Sequence, residues 1–466
     1  MISTPASQQD LDVRHRYAPW FAFLFIGVVF FYTLHNVFHT RDYVEGGATA
    51  FIPSDQVVEE LVAGWETGKI GSGLAYLSLG VLGLLGFLLK ARNRLKIDPL
   101  IGRLSLVYVL WAAASIAWAQ NFRGTWKAVV ILAMVCLALT YVARRFSDHD
   151  LLLFTFVTMG TYLLIGLASE AVLGAFRPWT AGYRFSGTCH PNGQALGCAM
   201  FFIAAVYMSR DQHRRLFFIA AGFVAFACLV LTKSRTSLVS AMVAPIAVAG
   251  LVSSRVSKAA LIFFAGTFVS LFLLVETVAG PAIDEALLMG RLDTNTSQTG
   301  TLTGRTFLWL ELITEYIPQH PFGGYGYNSF WDYEHVEAMS DVVDFMATTA
   351  HSVYVEVWLG LGPLGLILYL VIHLAALARA LAYYRTTREP AYGFFSAILV
   401  YTLLVGLTES GFLFAGLTTF TSMAVVVKLG FQAPPTEYAE QKRLANSRFG
   451  LNGPMPGRTA APDGGA

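Results

Sequence analysis

The sequence predicts an all-α polytopic membrane protein with about twelve transmembrane helices. Three observations carry that reading. The 466 residues are 55% hydrophobic and only 13% charged, with mean hydropathy +0.56, whereas a soluble protein carries about 25% charged residues. Apolar runs of about 18 or more residues recur along the chain, each long enough to cross a hydrocarbon core of roughly 30 Å as a helix. The short alternating segments of a transmembrane barrel are absent.

The spans lie near 18–38, 70–90, 100–119, 125–142, 151–173, 191–209, 215–231, 237–253, 259–277, 351–375, 391–408 and 411–430. The first run follows Arg14 and Arg16 and has no small-residue cleavage site after it, so it reads as an uncleaved helix. With the N-terminus in the cytoplasm, the inside segments RHR, KARNRLK, ARRFSD, RDQHRR, SSRVSK, ARALAYYRTTR and the tail hold most of the Lys and Arg. This is the positive-inside bias, and a miscounted helix would invert it downstream. The net charge of +2 matters less than this distribution.

The chain thus divides into a cytoplasmic N-terminus (1–17), nine helices (18–277), a large outside loop (278–350), three helices (351–430) and a tail (431–466). The tail is rich in Pro, Gly, Ala and charge, and reads as disordered. Cys136, Cys189, Cys198 and Cys228 show no disulfide or zinc spacing. No HExxH, GxSxG or Walker motif occurs, so metalloprotease, serine hydrolase and nucleotide-driven pump readings lack their signatures.

Cations on the outside face break the topological bias and so need a reason. They include Arg177, Arg184, Lys233, Arg235, Arg291 and Arg305. Arg235 stands in LVLTKSRTSLVSAMV, between two apolar runs, where an ionisable group is costly and a functional candidate by default. The competing reading is a side chain snorkelling to lipid phosphates, which suits Lys69 and Lys127 better. Arg184, Arg235 and Arg305 share one face beside turn-forming Gly, Ser and Thr. Guanidinium forks match phosphate oxygens, so such a group would suit a pyrophosphate at membrane depth.

His190 precedes Pro191, which starts a helix that Ser186, Thr188 or Asn192 is expected to cap. A helix N-terminus facing an anion would also serve binding. His35 and His39 read as interfacial. The large loop holds only Arg291 and Arg305 as basic residues. A helix from Thr303 to about Ile317 is expected there, with Phe307, Leu308, Leu312 and Ile313 on its apolar side. Turns follow at Gly323, Gly324 and Gly326. Phe322, Tyr325, Tyr327, Phe330, Trp331 and Tyr333 either stack on sugars or pack a small domain. His351 ends the loop; a neutral imidazole there suits a general base, and equally a structural role. Glu356, about one turn below, either orients His351 or pairs within the bundle.

At these residues the chain resembles the O-antigen ligase/polymerase superfamily of bacterial inner-membrane glycosyltransferases. The matching elements are YRFSGTCHPNGQALG, KSRTSLVSA, GRTFLWLELI with PFGGYGYNSF, and AHSVYVEVWLGLGPLG, in that order, between Tyr183 and Gly365. The resemblance implies a metal-independent fold of the lipid-linked-sugar transferase (GT-C-like) type, without a cofactor. It implies a donor glycan on undecaprenyl pyrophosphate and a saccharide acceptor, a growing chain or a lipid A core, amid membrane lipids; nucleic acid is not an expected partner. Carried over, Arg235, Arg305 and Arg184 would hold pyrophosphate and His351 would be the base; beside them, His190, Asn192, Glu356, Tyr325 and Tyr327 are candidate supporting residues. Arg177 and Gly193 stand at the Arg-then-Gly spacing of such polymerases, whereas the glycine after Arg305 arrives late, at Gly323. The acidic loop favours an acceptor other than an anionic lipid A core. The alternative is a transporter or flippase of glycan precursors, with Glu170 and Glu409 as its candidate carboxylates.

Overall fold

In the computed structural model, the chain is described over residues 8–35, 70–180, 183–211, 213–253, 303–343, 346–413 and 415–433. The expected span at 259–277, the segment 39–69, Arg291 and the tail beyond 433 lie outside these residues. The described residues form thirteen α-helices and no strand: α1 (Gln8–Leu34), α2 (Ile70–Leu88), α3 (Ile101–Ala114), α4 (Phe122–Arg145), α5 (Asp148–Val172), α6 (Pro191–Met208), α7 (Arg215–Leu231), α8 (Arg235–Val252), α9 (Thr303–Glu311), α10 (Tyr333–Val343), α11 (Val353–Thr387), α12 (Pro390–Val405) and α13 (Leu417–Phe431). Among them α2, α4, α5, α8 and α11 are long and apolar enough to cross a membrane, and shorter apolar helices stand at Trp20–Leu34, Ile101–Ala117, Arg215–Leu231, Pro390–Val405 and Leu417–Phe431. The architecture is that of a polytopic helical membrane protein.

Local chemistry sets the helix ends. Asn121 caps α4 by accepting from the Gly124 amide at 2.8 Å. Ser147 and Asp150 form a reciprocal capping box at α5. Between helices, small residues replace the hydrophobic drive that lipid removes. Gly83 of α2 lies against the Leu137 backbone of α4, where a Cβ would overlap it.

The two ends of the bundle differ in charge. One carries the 90–98 segment, the start of α5 and the ends of α4, α11 and α13. It holds Lys90, Arg92, Arg94, Lys96, Arg144, Arg145, Arg379 and Arg385. There the buried Lys428 ammonium pairs with Asp148 at 3.0 Å and donates to the Phe146 carbonyl at 2.7 Å. Tyr392 donates to the other Asp148 oxygen at 2.6 Å.

At the opposite end the polar loop is stitched into a broken helix. Gly362 adopts φ +69 inside α11, just before Pro363. The break leaves three carbonyls without helical donors. The Tyr325 amide donates to Leu359 O at 2.9 Å, the Gly326 amide to Gly360 O at 2.9 Å, and the Trp111 indole to Leu361 O at 2.9 Å. Gly324 (φ +66) and Gly326 (φ +104) supply the left-handed turns that this approach requires. The loop helix continues from α9 through a π turn (Leu312–Tyr316) and a 3-10 turn (Ile317–Gln319). It buries Leu308 and Leu312, but Phe307 and Ile313 are exposed, contrary to the expected apolar side. The loop core takes one stripe at i, i+4, and the apolar residues beside that stripe point away.

Candidate functional site

The ends of α5, α7 and α12 and the starts of α6, α8, α9 and α11 meet at the loop end of the bundle. Arg184 precedes α6. Its Nε donates to Thr232 O at 3.0 Å and its Nη2 to Asn192 Oδ1 at 2.8 Å. Asn192 passes its own amide to Glu409 Oε1 at 3.1 Å. The same Glu409 oxygen pairs with Arg305 Nη2 at 3.1 Å, and Arg305 Nη1 donates to Thr408 O. One hydrogen-bonded chain, Arg184–Asn192–Glu409–Arg305, thus ties together residues far apart in sequence.

Arg235 is the first residue of α8 and follows Thr232, the acceptor of Arg184, by one short turn. The Phe185 amide donates to Leu231 O at 2.8 Å, which seats the Arg184 segment on that turn. Both terminal nitrogens of Arg235 are buried and have no hydrogen-bond partner among the described residues. The Thr408 hydroxyl, on the residue whose carbonyl holds Arg305, is likewise buried without a partner. Buried polar groups are normally satisfied, so these groups have donor capacity to offer a polar partner such as an anion or water. Lys233 (φ +54) and His351 (φ +48) hold left-handed conformations, which cost non-glycine residues free energy and cluster at functional sites.

His351 sits in the turn before α11. Burial, then the charges of Arg305 and His190, push its pKa from 6.5 down to about 3. Its imidazole is neutral near pH 7 and able to accept a proton. One oxygen of Glu356 takes the Ala350 amide of this turn at 2.7 Å, and the other takes the indole of Trp331, from the loop, at 2.6 Å. Glu356 therefore fixes the backbone before His351 through Ala350 and ties it to the loop through Trp331. The turn is tied to the end of α12 by the Val353 amide, which donates to Gly406 O at 2.8 Å.

Two expectations are corrected here. The cap of α6 is His190, whose Nδ1 accepts the Asn192 amide at 3.2 Å, rather than Ser186, Thr188 or Asn192. Those side chains are engaged elsewhere: Ser186 on Glu170, Thr188 on His35 at 2.8 Å, and Asn192 in the chain above. Tyr325 and Tyr327 are not brought to the cluster. Tyr325 is 1% exposed in the loop core with Phe330, Leu308 and Met339, and donates to Tyr316 O at 3.0 Å. Tyr327 packs against the cluster of Ala112, Leu132 and Leu361. Thr408, Glu170 and Glu409 complete the picture. Sequence reading placed the two acids only as transporter carboxylates; their span-end positions beside polar loops were the signal.

A cavity of 970 Å³ reaches the 348–351 turn as well. Thr348, Thr349, Trp331 and Glu356 line one end, and side chains such as Tyr76, Ile131 and Phe420 line its apolar body.

Residues 220–370 match the family model described as O-Antigen ligase. That match supports membership in the O-antigen ligase/polymerase superfamily. The ligase domain contains Arg235, Arg305 and His351, while Arg184, Asn192 and Glu409 lie outside it. No curated protein matches the chain. The family assignment supports a membrane glycan ligase or polymerase, with lipid-linked glycan and saccharide acceptor as its general partners.

Proposed function

We propose that the protein moves a glycan from an undecaprenyl-pyrophosphate carrier to an acceptor hydroxyl at the periplasmic face of the bacterial inner membrane, within an architecture of the GT-C-like type. The observation that carries this reading is the cluster itself. Arg184 and Arg305 are joined through Asn192 and Glu409, the charge of Arg305 reaches a neutral His351, and the buried terminal nitrogens of Arg235, three residues after the Thr232 that holds Arg184, have no hydrogen-bond partner among the described residues.

Arg235, Arg305 and Arg184 hold the pyrophosphate. Glu409 and Thr408 take one donor from each Arg305 terminal nitrogen, which leaves its Nε and one hydrogen on each of those nitrogens for phosphate oxygens. The acceptor oxygen attacks the anomeric carbon as the bond to the pyrophosphate oxygen breaks. His351 takes the hydroxyl proton, and undecaprenyl pyrophosphate departs with the bonding electrons. Direct displacement inverts the anomeric centre. Because the leaving group is already good, charge stabilisation by the cations and alignment of the acceptor supply the acceleration. The cavity that reaches Thr348 and Thr349, in the segment leading to His351, has room for a glycan or lipid chain.

The test is to incubate the purified protein with a defined undecaprenyl-pyrophosphate oligosaccharide, with and without a lipid A-core acceptor. Chain lengthening identifies a polymerase, and capture by the acceptor a ligase. Substrate flux across vesicles with no covalent change would overturn the transferase reading in favour of a transporter.

A further inference from the structure

Glu170 has no part in the chemistry above, yet it is 1% exposed. It stands in the last turn of α5. Its Oε1 accepts the Ser186 amide at 2.9 Å, the Gly187 amide at 2.8 Å and the Ser186 hydroxyl at 3.3 Å. Its Oε2 accepts the Tyr183 phenol. These donors flank Arg184 on both sides. The turn sits directly on α5, since a Cβ at Gly166 would lie 3.0 Å from the Gly187 Cα. Gly187 itself is left-handed, at φ +60.

A carboxylate group presents two acceptor oxygens, so it can gather several N–H and O–H groups that converge from one loop. Without it, two buried amides, a phenol and a hydroxyl lose their common acceptor, and the turn must rearrange to satisfy them. Arg184 is the residue in that turn whose side chain leads away, to Thr232 and Asn192.

We propose that Glu170 is a positioning residue of the anion site: it moulds the 183–187 turn so that Arg184 meets Asn192 and the carrier pyrophosphate. This rests on the reading of Arg184 as a pyrophosphate ligand. Glutamine keeps one acceptor oxygen for the two amides and turns its NH2 towards the Tyr183 oxygen, so it is the conservative replacement. Alanine keeps neither.

The experiment measures kcat and the KM for donor and acceptor on full-length E170A, E170Q, R184A and E170A/R184A, using a defined undecaprenyl-pyrophosphate oligosaccharide. E170A should raise donor KM about tenfold and leave acceptor KM unchanged. E170Q should recover most of that loss, and E170A should add nothing to R184A. Should E170A fail to fold, Y183F removes one donor only and should raise donor KM in the same direction by about threefold. Equal rises in donor and acceptor KM, full additivity in the double variant, or unchanged donor KM in E170A or, in its place, Y183F would overturn the proposal. An R184A protein with normal donor KM overturns the reading of Arg184 as well, whereas an impaired R184A with a normal E170A overturns the Glu170 role alone.

Discussion

At the scale of single residues, the candidate site combines cations with one neutral imidazole, the proposed base. Burial and the neighbouring positive charges of Arg305 and His190 hold His351 near a pKa of about 3, below its ordinary 6.5. A base must be unprotonated, so its competence is complete well above that value and is lost as pH falls through it. The pH profile of kcat/KM, which reports the free enzyme, should therefore show no His351 limb between about pH 5 and 8. Bound pyrophosphate would oppose the charges that depress His351, so the acid limb of kcat should lie at higher pH than that of kcat/KM. Coincident limbs in the two profiles would contradict this electrostatic account. Arg235, Arg305 and His351 were visible in the sequence because charged and titratable groups at an apolar boundary need a reason. The Asn192–Glu409 bridge was not, because its partners stand 217 residues apart and only the fold joins them.

At the scale of elements, α11 decides where the loop sits. Its break at Gly362 offers the carbonyls of Leu359, Gly360 and Leu361 to the loop amides and to Trp111. A Cβ at Gly362 would overlap the Phe322 carbonyl oxygen, and φ +69 strains any L residue. Gly362→Ala should cost on the order of 3 kcal/mol, read as a lower thermal unfolding midpoint in detergent. An unchanged midpoint would show that the loop does not depend on this seam. Here the turn glycines of PFGGYGYNSF were legible, since Gly324 and Gly326 do take positive φ. The facing of α9 was not: periodicity marks four apolar residues, but the loop core has room for Leu308 and Leu312 while Phe307 and Ile313 turn away. The cap of α6 escaped for a similar reason. Preference favours Ser, Thr and Asn, whereas His190 takes that place and Asn192 is drawn into the ionic chain.

At the scale of the whole molecule, the bundle separates two polar ends. One is rich in Lys and Arg and is knitted by Lys428, Asp148 and Tyr392. The other holds the arginine–glutamate chain and His351. Apolar spans and alternating charge made this organisation legible in the sequence, and the order of the motifs pointed to the family. Removing one partner of a buried ion pair leaves an uncompensated charge, so Asp148→Ala should destabilise the protein by about 3–5 kcal/mol. Because Asp148 lies at the far end, the folded fraction should keep its donor KM; a raised donor KM would show that the two ends are coupled. The central claim is that cations grip the carrier pyrophosphate while His351 takes the acceptor proton. Its most direct measurement compares Arg235→Ala and His351→Ala with the wild type, scoring donor binding and glycan transfer separately. The account predicts donor affinity weakened about tenfold or more in the first, and near-normal donor binding with transfer abolished in the second. Full transfer by a stably folded His351→Ala protein would contradict it.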